Sequence, residues 1–174
     1  MDGAVTDTEI DSRRFRDVMG RFATGVTVVT VAHEGVIRGM TANAFSSVSA
    51  DPAMLLICID QHSSMYPIFQ VAEAFGVNIL TEEQEQVSRS FAQRGEKRQE
   101  MGGYPYRFGR LGAPILDGVL AWSECRVEHR YRGGDHIIVV GRVEDMAIER
   151  PDAAPLLFFG GQYHGLGDVL RPDD

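Results

Sequence analysis

The chain has 174 residues and a mass of 19.2 kDa, a length that favours a single domain spanning residues 1–174. Its hydrophobic share of 44% and charged share of 24% are typical of a globular protein and argue against disorder or low complexity. Seventeen basic and 25 acidic residues give a formal charge of −8, so nucleic acid and anionic membrane surfaces are excluded as expected partners.

The cysteines and the N-terminus argue against further classes of protein. Cys58 and Cys125 lie far apart, with no CxxC pair and no histidine at zinc-ligand spacing, so no metal site is predicted. The acidic start of the chain lacks the basic and apolar regions of a signal peptide, and no apolar run approaches about 18 residues. We therefore expect a cytoplasmic protein without a membrane segment, with residues 1–8 as a flexible N-terminus.

The first half of the chain predicts one helix followed by strands. Apolar side chains recur at helical spacing from Phe15 to Phe22, which predicts a helix that stops by Gly25. The β-branched run 26–31 predicts a strand, and a turn at 33–35 leads to its hairpin partner at 36–40. Short apolar or alternating runs predict two further strands, over 54–59 and 75–79.

The middle of the chain predicts two helices and a loop. A short helix is expected within 63–74, where Pro67 limits how it begins. Thr81 and Gln84 have the spacing of a capping box, which predicts a helix over 82–93. The stretch 94–118 carries several glycines and two prolines and is interpreted as a long irregular loop that covers a site.

The last third carries the clearest β signal. Residues 121–132 alternate in polarity, with Cys125 on the inward face and Glu124 on the outward face. A turn at 133–134 returns the chain as a second long strand over 136–148. Few helices and six or seven strands without a repeated β-helix-β rhythm predict a mainly β fold, a small barrel with helical decorations.

Several common catalytic motifs are absent from the sequence. No GxGxxG opens a helix after a strand, and GxxxxGK[ST], HExxH and GxSxG do not occur. Dinucleotide-binding Rossmann domains, P-loop enzymes, zincins and α/β-hydrolases are therefore disfavoured.

Three hydroxyl-bearing segments are candidates for ligand contact. The stretch 40–49 offers four hydroxyls and one amide on short side chains, although its composition alone favours an edge strand followed by a turn. The pair 63–64 is either a helix cap or a contact. The segment 88–92, with Arg89 and Arg94 nearby, is either a phosphate site or an exposed helix face.

His136 is the histidine best placed to meet a ligand, because it begins a strand at the barrel rim. Its neighbour Asp135 is expected to point to the opposite face of the strand, so the two side chains are not expected to touch. Trp122, the only tryptophan, shares the outward register with Glu124 and predicts an apolar patch that faces a partner.

Six segments in this order resemble the short-chain flavin reductase family, whose members share an FMN-binding split barrel. The segments are 21–30, 40–49, 77–80, 88–92, 134–136 with Gly141, and 158–166. The resemblance implies a mainly β split barrel with a few flanking helices. It also implies NAD(P)H-dependent reduction of FMN or FAD, a homodimer, and delivery of reduced flavin to a separate flavin-dependent monooxygenase.

The resemblance further implies roles for individual residues. His136 matches the family histidine linked with nicotinamide binding and is the candidate catalytic residue. The residues implied to bind the flavin are Thr41, Ala42, Asn43, Ser46, Ser47, Val48, Cys58, Ser63, Ser88, Ser90, Phe91, Ala92, Gly160 and Tyr163. NADH is favoured over NADPH because no basic pocket for a 2′-phosphate is visible, and the 94–118 loop is expected to screen reduced flavin from oxygen.

Two other functions fit the same sequence. A flavin carrier or a pyridoxamine-phosphate oxidase-like enzyme shares the split barrel but does not turn over free flavin. A non-enzymatic β-barrel interaction module, using the Trp122 surface, binds no flavin at all. Multiple turnovers with NADH and excess flavin distinguish the reductase from both.

Overall fold

A computed structural model describes residues 10–93 and 100–167 of the chain. The predictions for residues 1–8 and 94–99 lie outside the described residues. The elements in chain order are α1 (Ser12–Met19), β1 (Thr24–Gly25), β2 (Thr27–His33), β3 (Val36–Ala42), β4 (Phe45–Ala50), β5 (Ala53–Asp60), α2 (Tyr66–Val71), β6 (Ala74–Ile79), α3 (Glu85–Phe91), β7 (Tyr106–Phe108), β8 (Pro114–Leu116), β9 (Ala121–Gly133), β10 (His136–Ile148), β11 (Leu157–Phe159) and β12 (Gln162–His164). Short 3-10 helices span Glu82–Gln84 and Glu100–Gly103.

The main sheet has seven strands in the order β3-β2-β6-β9-β10-β5-β4, with antiparallel pairing throughout. Its two edge strands, β3 and β4, are consecutive in the chain and are separated only by Asn43 and Ala44. This short link brings the two edges of the sheet together, so the sheet closes on itself as a split barrel. The predicted mainly β split barrel with a few helices is confirmed.

Strand β2 is buried on both faces of the sheet. Val29 and Val31 belong to the core inside the barrel, together with Ile57 and Phe75. Val28 faces a second core, formed by residues of α3 and the segments around β8 and β11. Two-sided burial explains why residues 27–31 of this strand are all β-branched instead of alternating between apolar and polar residues.

The prediction of an irregular loop over 94–118 is wrong for residues 100–118, the part of this stretch that the structure describes. Residues 100–118 form a 3-10 turn and the β7–β8 hairpin, and the four residues from Ala113 to Leu116 are buried. The β8 segment packs against β2 and β6, where the Thr30 hydroxyl donates a hydrogen bond to the Pro114 carbonyl. The glycines and prolines around this short apolar run concealed a strand that covers the outer face of the sheet.

The outward direction predicted for Glu124 is correct, but this face of β9 is covered. Cys125 pairs with Phe75 and belongs to the core inside the barrel, whereas Glu124 pairs with Gly76 on the opposite face, against which β8 packs. Glu124 is fully buried there. The Glu124 Oε1 atom accepts hydrogen bonds of 2.9 Å from the backbone N–H groups of Leu111 and Ala113. The carboxylate therefore holds the turn before β8 against the sheet.

The helices follow the sequence signals with shorter bounds. The capping box forms as predicted, with the Thr81 N–H donating to Gln84 Oε1 at 3.1 Å, but the first turn is a 3-10 helix. The predicted helix within 63–74 is reduced to α2, which carries Pro67 at its start. Helix α1 forms where expected, yet none of its side chains is buried. Within residues 10–93 and 100–167, no helix has the length and apolar character needed to cross a membrane.

Candidate functional site

A cavity of about 530 Å³ opens where β3 ends, beside the turn after β5. Its walls come from β3, the β5–α2 turn, the end of α3 and the β11–β12 hairpin. The lining residues are Val26, Met40, Thr41, Ala42, Asn43, Asp60, His62, Ser63, Ser64, Phe91, Ala92, Gln93, Phe158 and Tyr163. Apolar surface predominates and is combined with hydroxyl, amide, imidazole and carboxyl groups, which is typical of a small-molecule site.

The end of β3 presents backbone and short side chains to the cavity. The Thr41 hydroxyl donates to the Ser88 carbonyl at 2.6 Å, so its donor is committed and only its oxygen lone pairs remain for a ligand. Asn43 follows the strand in an exposed position, and its side-chain amide has no hydrogen-bond partner among the described residues. This amide offers both a donor and an acceptor to a bound molecule.

The turn after β5 is held by side-chain to backbone hydrogen bonds. Asp60 Oδ1 accepts from the His62 N–H at 2.8 Å and lies 3.0 Å from His62 Nδ1. These hydrogen bonds, the backbone one first, lower the pKa of the Asp60 carboxyl. Ser63 Oγ accepts from the Met65 N–H at 3.2 Å, within the turn that leads into α2. The turn therefore places a carboxylate, an imidazole and a hydroxyl along one wall.

The end of α3 and the β11–β12 hairpin are joined by a hydroxyl pair. Ser88, which is fully buried, lies 2.8 Å from the Tyr163 hydroxyl. The Arg89 guanidinium stacks over the Tyr163 ring at 4.8 Å from its centroid and forms an ion pair with Glu85. Ser88 therefore positions Tyr163, and Arg89 covers the outer side of this ring.

The cavity brings together seven of the residues predicted to bind flavin and leaves the other predicted site residues outside its wall. Those that line it are Thr41, Ala42, Asn43, Ser63, Phe91, Ala92 and Tyr163. Those that do not are Ser46, Ser47, Val48, Cys58, Ser88, Ser90, Gly160 and His136. Ser46 to Val48 lie exposed on the edge strand β4, in agreement with the interpretation of this stretch as an edge strand and turn.

The remaining predicted residues lie behind or beside the wall. Cys58 is half-buried on β5, and burial raises the pKa of its thiol, so it stays protonated. Ser90 is half-buried and faces the Gly102 backbone. The Gly160 N–H donates to the Gly20 carbonyl at 2.9 Å, which ties the β11–β12 turn to the end of α1. None of residues 100–118 lines the cavity.

His136 faces a second pocket on the other side of the β5–α2 turn. Contrary to expectation, it does contact its neighbour: His136 Nδ1 lies 2.7 Å from Asp135 Oδ1. The strand end lets both side chains turn toward solvent, and this contact lowers the pKa of Asp135. His136 pairs directly with Asp60 in the sheet, which brings it next to the cavity wall.

Sequence reasoning left part of the cavity wall unassigned. Asp60 and His62 were not among the predicted contacts, although they lie just before the predicted contact Ser63. Val26 and Phe158 carry no polar signal, and their place in the wall becomes visible only when the chain is folded. Among the residues that the structure describes, no group of three or more His, Cys, Asp or Glu side chains is arranged to hold a metal ion.

Replacing Tyr163 by phenylalanine tests the hydroxyl pair. We expect Tyr163→Phe to weaken flavin binding by about three- to tenfold, since the loss of one hydrogen bond costs about 0.5–1.5 kcal/mol and loosens the ring. Fluorescence titration with FMN and FAD measures the change. Equal binding by Tyr163→Phe and the wild type contradicts a positioning role for Ser88.

Comparisons with known proteins identify the family of the chain. The flavin reductase-like domain family matches residues 19–167. The chain is 36% identical over 159 residues to a Mycobacterium tuberculosis protein named flavin-dependent monooxygenase, reductase subunit HsaB, covering 91% of this chain and 84% of that protein. It is 38% identical over 172 residues to an NADH-dependent flavin reductase of Rhodococcus sp, covering 97% and 93% of the two chains.

A solved structure shows the same fold. It is NADH:FAD oxidoreductase SgcE6 of Streptomyces globisporus in complex with NAD and FAD fragments, with a TM-score of 0.82 and 36% identity over 94% of each chain. A family match over most of the chain, relatives above 30% identity and a shared fold lead to one assignment. The chain belongs to the flavin reductase-like domain family.

Proposed function

We propose that the chain transfers a hydride from NADH to FMN or FAD at the cavity and supplies the reduced flavin to a partner monooxygenase. The observation that carries the proposal is a cavity of about 530 Å³ whose apolar walls end at the free amide of Asn43. The relatives support it, because one is an NADH-dependent flavin reductase and another is a reductase subunit of a flavin-dependent monooxygenase. They favour the reductase over a carrier or a pyridoxamine-phosphate oxidase-like enzyme.

The cavity suits a flat tricyclic ring with one polar edge. Val26, Met40, Phe91 and Phe158 offer apolar surface to the faces of such a ring. Asn43 and the adjacent backbone offer hydrogen bonds to its pyrimidine edge. A pocket of this volume and mixed lining is within the range of cofactor sites. The residues present therefore fit a flavin.

When bound, the flavin supplies the redox chemistry by accepting a hydride from the nicotinamide. The chain has to position the two rings and exclude water, and it needs no nucleophile. Asn43 and the backbone N–H groups beside it would stabilise negative charge that develops at the pyrimidine edge. Cys58 takes no part in this account, because its raised pKa keeps it as a neutral thiol. His136 stays the predicted residue on the nicotinamide side.

The decisive experiment is turnover with excess free flavin. Purified protein is mixed with NADH and a large excess of FMN or FAD without oxygen, and nicotinamide oxidation is followed by absorbance. The proposal expects many turnovers per chain, whereas a flavin carrier stops after one. Absence of any flavin binding supports the interaction module instead. The structure does not favour that module, because Trp122 is half-buried in the second core and the Arg107 guanidinium lies over its ring.

We also propose that the active form is a homodimer, which the exposed apolar face of α1 supports. Phe15 and Phe22 are 56% and 70% exposed, and Val18 and Met19 extend the same stripe. An eight-residue helix with no buried side chain is marginally stable alone, so a covering surface is needed. The Gly160 to Gly20 hydrogen bond connects this face to the hairpin that carries Phe158 and Tyr163.

The cytoplasmic location stays a prediction.

Charging the α1 face tests the dimer. The double variant Phe15→Glu/Phe22→Glu should sediment as a monomer where the wild type sediments as a dimer, because buried carboxylates in an apolar interface are costly. The matched control is Ile148→Glu, at another exposed apolar residue that lies on β10. A monomeric wild type, or a dimer that survives both charges, contradicts the proposal.

A further inference from the structure

The pocket next to His136 is basic, whereas the chain as a whole is acidic. It is lined by Gln61, Tyr66, Arg130, Tyr131, Arg132, His136 and Ile137, with a volume of about 290 Å³. Two arginines line the pocket and no carboxylate does, although the chain has a formal charge of −8. The lining histidine, His136, lies 2.7 Å from Asp135, so the positive charge of the pocket comes from the arginines. Two arginines side by side in an acidic protein indicate a site for an anion.

The two arginines are not neutralised by carboxylates. Arg130 directs its guanidinium to the carbonyl oxygens of Phe69 and Ala72, so its position is fixed while its charge stays uncompensated. Arg132 is exposed and forms no hydrogen bond or ion pair with any side chain that the structure describes. Elsewhere on the same sheet, Arg126 and Arg142 both pair with Glu144. Arg132 therefore differs from its neighbours in having its donors free.

The aromatic lining adds a second feature. Tyr66 and Tyr131 line the pocket together with Arg132. Tyrosine rings beside arginine groups are suited to a nucleotide, since the ring stacks on a base while the guanidinium binds phosphate oxygens. A free inorganic anion needs only the charge and gains nothing from the rings.

The pocket and the cavity share one turn. Asp60 and His62 line the cavity, while Gln61 between them lines the pocket and donates from Nε2 to the Gly134 carbonyl at 3.0 Å. Three residues span at most about 10 Å. A dinucleotide with one ring at the cavity can therefore reach the pocket with its phosphates.

We propose that this basic pocket binds the diphosphate of the nicotinamide dinucleotide, with Arg132 as its free cation. The proposal rests on the proposed function, and it names how the hydride donor is held at the site. The expectation from the sequence, that no basic pocket for a 2′-phosphate is visible, is unchanged, because this pocket is assigned to the diphosphate. Arg132 acts on affinity for the donor and has no part in the flavin cavity.

Binding of ADP-ribose to the flavin-free protein tests the pocket without requiring turnover. By calorimetry, Arg132→Gln should weaken ADP-ribose binding about tenfold, since a hydrogen bond to a charged group is lost, and Arg132→Lys should restore part of it. Arg126→Gln, an ion-paired arginine on the same strand, is the matched control and should bind as the wild type does. Equal affinity of Arg132→Gln and the wild type, or equal weakening by both glutamine variants, overturns the proposal.

Two further probes identify the group that is bound. Adenosine, which lacks phosphate, should bind at least about tenfold more weakly than ADP-ribose, and equal affinity removes the role of charge. If a 2′-phosphate on ADP-ribose tightens binding more than tenfold through Arg132, the pocket holds that phosphate and the diphosphate assignment is wrong. In turnover, Arg132→Gln should raise the KM for NADH while leaving kcat and the KM for flavin unchanged. Absence of turnover with intact ADP-ribose binding refutes the proposed function alone.

Discussion

Replacing Glu124 by alanine is expected to lower the free energy of unfolding by about 2–5 kcal/mol. The fully buried carboxylate is the acceptor for the N–H groups of Leu111 and Ala113, and Ala113 is itself buried. Without Oε1, these donors lose their partner where water does not easily replace it, and the truncated side chain leaves a cavity. Urea denaturation followed by circular dichroism measures the loss.

Two control variants distinguish the loss of these hydrogen bonds from the loss of the negative charge and from the general effect of a substitution on β9. Glu124→Gln keeps the accepting oxygen and should recover at least half of the lost stability. Glu128→Ala removes a partly exposed carboxylate from the same strand, where it pairs with Arg142, and should cost at most about 1 kcal/mol. If alanine at position 124 is no more harmful than alanine at 128, the carboxylate does not hold the turn before β8.

Local patterns in the sequence predicted most strands because neighbouring residues carry the relevant signal. The β-branched run of β2 and the alternation at the start of β6 both mark their strands directly. Glu124 shows the limit of these patterns. The alternation along β9 predicts the face on which Glu124 lies, but its burial depends on the turn before β8, a separate segment that covers this face.

The cavity was predictable to the extent that its residues follow one another in the chain. Thr41 to Asn43 form one wall and were found as a segment, as were Phe91 and Ala92. The burial of Ser88 behind Tyr163 depends on a contact across 75 positions of the chain, which no local pattern encodes. The same holds for the basic pocket, whose residues come from α2, β9, β10 and the turn after β5.

Filling the cavity at Ala92 is the second change from which we expect a large effect. Ala92 is exposed, lines the cavity and ends α3, so a larger side chain can enter the open space without disturbing the core. We expect Ala92→Trp to raise the KM for FMN and FAD by at least about tenfold, because even one extra methylene in a fitted pocket changes discrimination by about 10- to 200-fold. The stability should stay within about 0.5 kcal/mol of the wild type.

Steady-state kinetics with NADH in excess measures this effect, and thermal unfolding verifies the fold. Ala147→Trp introduces the same ring at an exposed residue of β10 that does not line the cavity, so its KM for flavin should equal that of the wild type. A bulky ring at position 92 blocks the flavin directly, whereas Arg132→Gln affects only the dinucleotide. An unchanged KM for flavin in the folded Ala92→Trp variant therefore places the flavin outside this cavity, since a tryptophan and a tricyclic ring cannot occupy the same volume.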